Sequence, residues 1–382
     1  MRVALLSGVN YGTNYYRASL VKRAADRWGA TRGVEAFHVH LFSNGFLEKD
    51  SGIDVFYLLR PIPEMMPLEL LHRLKRDGRP LVIDWDDDLF SVPKWSPSST
   101  TFDLGGVREY CRGVMCAPDV VTATTEAGAR AVREYMAELG AGDVPTRVIP
   151  NAFDPDLKVF RAFPEVSKPP AVGWQGGAQH EKDLAAIEPV FRECLKRGYG
   201  LRFIGEGPRG LRALSKKYRI EWIQGSHDVE SFLQSLPLAG FDVAVAPLVD
   251  EKFNHSKSAL KAAEYAWYAG CPSVLSDLSP YDEVPADGAW VQKVRGHDTA
   301  TWMAAIERGI EVSRERGRCY RLPARYNLRH TFDRWVDAWN LAHRAVRGCD
   351  APGYREGRAE VEDKMITREG VVAGVGAALA GR

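Results

Sequence analysis

NHSKSALKAAEYAWYAGCPSVLSD, residues 254–277, reads as loop, helix, glycine stop and buried strand. Asn254 and Ser256 are residue types that cap helix N-termini. Leu260, Ala263 and Trp267 recur at helical spacing. Gly270 supplies a C-cap, and Cys271-Pro272 ends the helix. Lys257, Lys261 and Glu264 stand at i, i+4 and i+7, so they are expected on one face. That face would offer a helix N-terminus, two cations and one carboxylate. A nucleoside diphosphate asks for such a layout, with donors and positive charge for the phosphates and an acceptor for the ribose hydroxyls. The same spacing also fits a surface helix with a Lys/Glu salt bridge, and spacing alone leaves both readings open.

The remaining chain sets the frame. A length of 382 residues exceeds one ordinary core, so two domains are expected. With 26% charged and 45% hydrophobic residues the composition is that of a globular protein. A net charge of +1 provides no global field for nucleic acid or an anionic membrane. Cys111, Cys116, Cys194, Cys271, Cys319 and Cys349 show no paired or metal-ligand spacing, which predicts reduced thiols and a cytoplasmic location. The N-terminus lacks a long apolar run, so no signal peptide is expected. The apolar end of the chain, residues 371–381, is shorter than the roughly 20 residues of a membrane span.

The order N-x-x-K-S-x-x-K-x-x-E-Y-x-x-x-x-G-x-P, followed by a strand, resembles the donor-binding segment of family 4 glycosyltransferases of the GT-B fold. The likeness is greatest to the variant seen in phage and bacterial surface-sugar enzymes. In that family a Glu-x7-Glu pair spans the helix start. Glu264 matches the second Glu, which in the family holds the nucleotide ribose. The first position is Ser256 here, a departure that leaves Asn254 and Lys257 as the residues to grip the donor sugar. Asn254, Ser256, Ser258, Lys261 and Glu264 are therefore donor-binding candidates.

In the N-terminal half, residues 2–7 read as a strand, followed by a glycine loop ending at Gly12 and a helix from about Tyr15. This opens a doubly wound α/β domain, although the dinucleotide G-x-G-x-x-G spacing is absent. In the resembled family this loop meets the donor phosphates, which makes Gly12 a donor-binding candidate. Arg17 could clamp a phosphate with its planar fork or be an exposed helix charge. Strands are expected at 34–40 and 53–59, and a helix at 63–76. A further buried strand at 80–84 runs into Trp85-Asp86-Asp87-Asp88. Ligands sit at the carboxyl ends of such strands. The carboxylates fit an acceptor-side hydrogen-bond acceptor or base, a metal-binding D-x-D, or a helix N-cap cluster. The first is the working reading, with Asp86 and Asp87 as catalytic candidates. A long loop at 91–106 carries Trp95 and Phe102, and the VIPNAFDPD run at 148–156 resembles a GT-B interdomain junction.

The C-terminal half repeats the architecture without repeating the sequence. After a linker at 157–170, a strand at 171–174 leads into Gln175-Gly176-Gly177 and then His180, Lys182 and Asp183. This G-x-x-x-H-x-x-D-L pattern again resembles the phage-type variant. Gly176, Gly177 and His180 are donor-binding candidates. Lys182 is a catalytic candidate with Lys257, each offering charge to the departing diphosphate. Strands are expected at 201–204, 220–223, 242–246, 273–277 and 289–291, and helices at 298–315 and 322–347.

The resemblance implies an α/β GT-B fold, with two Rossmann-like domains facing across a cleft and a last helix crossing back to the first. The expected boundaries are 1–160 for the acceptor domain, 161–325 for the donor domain, 326–348 for the crossover helix and 349–382 for a tail. It implies a retaining glycosyltransferase using a UDP-, GDP- or ADP-sugar, with no obligatory cofactor or metal. The acceptor is open among DNA base, protein, lipid and glycan. A sugar-nucleotide epimerase or phosphorylase, and a catalytically silent nucleotide-sugar binder, are the alternatives.

Overall fold

The computed structural model describes residues 1–7, 11–40, 52–61, 68–97, 99–102, 106–157, 168–286, 288–316, 321–354 and 365–367. The start of the first glycine loop (8–10), the first residues of the helix expected at 63–76, parts of the 91–106 loop, Cys319 and most of the tail lie outside the described residues. The chain divides into two compact units. Unit 1 comprises Met1–Asp154, Ser256–Ser258 and Arg325–Glu362; unit 2 comprises Pro155–His255, Ala259–Ala324 and Asp363–Arg382.

In unit 1, strands β1 (Arg2–Ser7), β2 (Glu35–His40), β3 (Val55–Leu59), β4 (Leu81–Trp85), β5 (Val120–Ala123) and β6 (Thr146–Val148) form one sheet in the order β2-β1-β3-β4-β5-β6. Every pairing is parallel. Val3 to Leu6 and Leu81 to Ile83 are buried without alternation, as expected of strands covered on both faces. The chain leaves β1 toward β2 on one side and toward β3 on the other. That reversal is the switch point at which such sheets bind ligands.

The long helix Leu328–Arg347 closes this unit. Its buried residues Leu328, Phe332, Trp335, Trp339 and Ala342 recur at helical spacing. Trp335 meets Tyr57 edge-on at 5.1 Å, and Phe332 meets Trp28 at 6.4 Å. Backbone bonds from Phe153 N to Tyr326 O (2.8 Å) and Leu328 N to Phe153 O (2.9 Å) fix the helix entry. The last helix thus crosses back to the first sheet. It starts later than the 322 expected from periodicity: Arg321–Pro323 is extended, and Asn327 caps the helix through the Arg329 N–H. The fixed ring of Pro323 favours the extended form, and the cap places the start.

In unit 2, β7 (Ala171–Gly176), β8 (Gly200–Gly205), β9 (Ile220–Ile223), β10 (Val243–Ala246), β11 (Ser273–Ser276) and β12 (Val291–Val294) form a second sheet. Its order is β12-β11-β10-β7-β8-β9, again all parallel. This is the Rossmann order, with the switch point between β7 and β10. Trp174, Phe191, Phe203, Trp302, Ile306 and Ile310 fill its core. The strand expected at 289–291 is shifted to Val291–Val294.

Two helical runs contain a π turn. Tyr15–Ser19 precedes the helix Leu20–Arg32, and Tyr265–Ala269 follows the helix Leu260–Glu264. Gly270, at φ 60°, stops the second run, the left-handed position a C-cap glycine takes. Among the described residues no helix is long and apolar enough to cross a membrane. Cys111, Cys116, Cys194, Cys271 and Cys349 are free thiols.

Candidate functional site

Each unit carries a polar constellation at the carboxyl end of its own sheet. In unit 2 it is built on β7 and the run beginning at Leu260. Glu264 is 3% exposed, and its carboxylate accepts a bond from Gln175 Nε2. Lys261 Nζ donates to the Gln175 carbonyl at 2.8 Å and lies 5.2 Å from the Trp174 ring centre. Tyr265 Oη accepts from the Gln175 N–H at 3.3 Å and donates to Val245 O at 3.1 Å. Gly176 stands at φ 150°, and a Cβ there would come within 2.8 Å of Lys261 Nζ and the Trp174 ring. Gly205 stands at φ 84° in register with Gly176, whose carbonyl would lie 2.5 Å from an added Cβ. The glycines therefore let two strand ends and a lysine close on one another. Gly176, Gly177, Lys261 and Glu264 are brought together.

Asp183, fully buried, organises the next layer. It accepts from His180 Nδ1 (2.8 Å), Val249 N (2.9 Å) and Asn254 Nδ2 (2.9 Å). Three donors on one carboxylate are what burial of a charge requires. Asn254 Nδ2 also donates to Val249 O, so this side chain braces the loop after β10. Lys182 forms an ion pair with Glu251 and is half exposed.

In unit 1, Arg60 follows β3 with φ 41°, a region sparsely used by side-chain-bearing residues. Its Nε reaches Asp86 Oδ1 at 2.7 Å, and Nη2 reaches Asp87 Oδ2 at 2.8 Å. Thr13 Oγ1 donates to Asp86 Oδ2 at 3.0 Å. Burial opposes the Arg60 charge, but the two carboxylates outweigh it and raise its pKa above the ordinary arginine value. Burial, and next the Asp86 charge, push the Asp87 carboxyl up to about 6, with Arg60 and Lys257 pulling the other way. Lys257 thus acts electrostatically on Asp87. Asp88 has a different role: it caps the turn Leu89–Ser91 through the Phe90 N–H at 3.1 Å and accepts from Ser91 and Tyr135. The N-cap reading of the Asp run holds for that residue.

Several expected positions differ. Arg17 is neither a phosphate clamp nor an exposed charge. It is 1% exposed, with Nε and Nη2 on Asp84 at 2.9 and 2.7 Å, Nη1 on Ile149 O at 2.6 Å, and the Trp335 ring 4.6 Å away. Its fork is engaged inside the core of unit 1. Neither Asn254 nor Ser256 caps the helix: it starts at Leu260 after Ala259, which makes no side-chain cap bond, while Lys252–His255 is a separate turn. Lys257 precedes the helix and does not share its face. Ser256 Oγ accepts from Asp88 N, and Ser258 Oγ accepts from Asn151 Nδ2, both at 3.1 Å. The tripeptide Ser256–Ser258 therefore belongs to unit 1, whereas Lys261 and Glu264 belong to unit 2. Gly12 is exposed in the turn Tyr11–Asn14.

Sequence reasoning passed over Arg60, Thr13, Gln175 and the hub role of Asp183. Arg60 had a signal: it follows an apolar run directly, the same position that singled out the Asp run. Gln175 had one too, as an amide ending a buried strand.

No family model and no curated protein matches the chain. Solved structures do. HepE of Anabaena in complex with UDP and glucose is 14% identical, with a TM-score of 0.53 over 90% of this chain and 98% of that one. Sucrose-phosphate synthase of Thermosynechococcus elongatus is 14% identical, with a TM-score of 0.52 over 91% and 94%. The apo form of the lipopolysaccharide outer core galactosyltransferase WaaB is 14% identical, with a TM-score of 0.50 over 91% and 99%. With the two parallel six-stranded sheets, these likenesses define the fold as GT-B, two Rossmann-like units in one chain.

Proposed function

We propose that this protein is a glycosyltransferase that moves a sugar from a nucleoside-diphosphate donor to an acceptor. The observation that carries the reading is the unit 2 constellation, in which Glu264 and Lys261 converge on the Gln175–Gly177 turn at the sheet's switch point. A carboxylate suits vicinal ribose hydroxyls, and a lysine beside a glycine turn suits a diphosphate. The fold supports the reading, since one structural neighbour was solved with UDP and glucose. In this reading Glu264 holds the ribose, Lys261 and the Gly176–Gly177 backbone hold the diphosphate, and His180 and Lys182 border that turn. Unit 1 serves the acceptor. Both oxygens of Asp86 are engaged, Oδ1 by Arg60 and Oδ2 by Thr13, whereas Arg60 meets Asp87 through Oδ2, so Asp87 is the residue to take the acceptor proton, with Lys257 beside it. Retention of anomeric configuration belongs to the same proposal.

Calorimetry with UDP, GDP and ADP tests it. Hydrogen bonds to a shielded carboxylate contribute about 1.5–3 kcal/mol each. Glu264→Gln should weaken the preferred nucleotide roughly tenfold or more, a loss of at least about 1.4 kcal/mol. The fold should survive, because the new amide oxygen still accepts from Gln175. Wild-type affinity in this variant would remove the ribose assignment.

A further inference from the structure

Gln175 is 5% exposed at the end of a strand whose preceding residues are buried. Three of its polar atoms meet three residues of one helical run: its N–H meets Tyr265, its carbonyl meets Lys261, and its amide Nε2 meets Glu264. The first two contacts use the backbone and would exist with any residue at 175. Only the third depends on the side chain. An amide is a neutral donor, so it fixes the plane of a buried carboxylate without cancelling its charge, as an arginine or lysine would. A carboxylate held in this way retains its capacity to accept from a ligand's hydroxyls.

We infer that Gln175 is a positioning residue that holds the Glu264 carboxylate in the orientation that accepts both hydroxyls of the donor ribose, so that it sets preference for ribonucleotides over dideoxyribonucleotides. The inference rests on the ribose reading of Glu264 and deepens it.

The test measures calorimetric affinities of the full chain for UDP, GDP and ADP, and for their 2′,3′-dideoxy counterparts, in wild type, Gln175→Leu, Gln175→Asn and Glu264→Gln. Leucine removes the donor, and asparagine withdraws it by one methylene with little change in polarity. Melting temperature and affinity for inorganic pyrophosphate serve as controls, since the Lys261 contact to the 175 carbonyl remains in every variant. Wild type should prefer the ribonucleotide by about tenfold or more. Both Gln175 variants should bring that preference to within about threefold while pyrophosphate affinity stays at the wild-type value. An unchanged preference in both, with the preference lost in Glu264→Gln, overturns the inference and leaves the ribose reading standing. An unchanged preference in Glu264→Gln removes the ribose reading, and the inference with it. A lowered melting temperature with equal losses for nucleotide and pyrophosphate marks a packing role and also overturns it. No binding of any of the three nucleotides overturns both.

Discussion

Asp87 keeps 28% of its side-chain surface and meets Arg60 through Oδ2, whereas Asp86 beside it keeps 10% and has both oxygens engaged, by Arg60 and Thr13. Neighbouring carboxylates with different surroundings divide their roles, one structural and one available to a proton. If Asp87 is the acceptor base, it works as the carboxylate. Nucleotide release from a UDP-, GDP- or ADP-sugar donor should then fall as pH drops through about 6. Asp87→Asn should abolish that limb and lower the rate by about 10²–10⁴-fold. Arg60→Gln removes a cation that favours the carboxylate, so the limb should move to higher pH. The stability sign is the reverse of the usual carboxylate case. The folded value lies above the ordinary one, so the group's favourable contribution is present at low pH and lost as pH rises through about 6. Asp87→Asn is therefore expected to melt no lower than wild type at pH 8. A limb that persists in Asp87→Asn excludes the residue as base.

The strand end and helix of unit 2 act as a pair, and glycine geometry sets their approach. Gly176→Ala would combine φ 150° with contacts of 2.8 Å to Lys261 Nζ and the Trp174 ring. The lysine tip can move, but moving it displaces the cation from the turn. Nucleotide affinity should fall by about tenfold or more in a titration of the preferred nucleoside diphosphate. Gly198→Ala is the control, since φ there is 83° and an added Cβ meets nothing within 4 Å. It should lower stability by about 1 kcal/mol and leave nucleotide affinity alone. Equal loss of affinity in both variants would mean that strain, not the position of Lys261, is responsible. The helix boundary belongs to this scale as well. Periodicity from Leu260 to Trp267 placed the helix, but its start was misread because a good capping type at Asn254 is drawn into Asp183 instead.

The molecule is two sheets with two cores, and the last helix serves the first. Trp335 covers both Tyr57 and the Arg17–Asp84 pair, so Trp335→Ala opens a cavity above a buried ion pair. A loss of about 3–5 kcal/mol is expected. Hydrogen exchange should accelerate at the amides of β1, β3 and β4 and change little at β7 and β8, whose core is lined by other residues. Uniform acceleration across both sheets would show that the units do not open independently.

Strand and helix periodicity, the glycines past strand ends, and the Gly270 stop were readable locally, because each depends on backbone preference within a few residues. The order of residues from Asn254 to Pro272 also pointed to the GT-B fold. What each charge touches was not readable. Arg17 meets Asp84 across 67 positions, and Gln175 meets Glu264 across 89. Each pair joins a strand residue, Asp84 or Gln175, to a residue of a helical run, Arg17 or Glu264, so the packing of helix on sheet sets it. Sequence position sets Arg17 in a helix and Arg60 past a strand, but only the tertiary structure makes the first a buried anchor and the second a neighbour of Asp87.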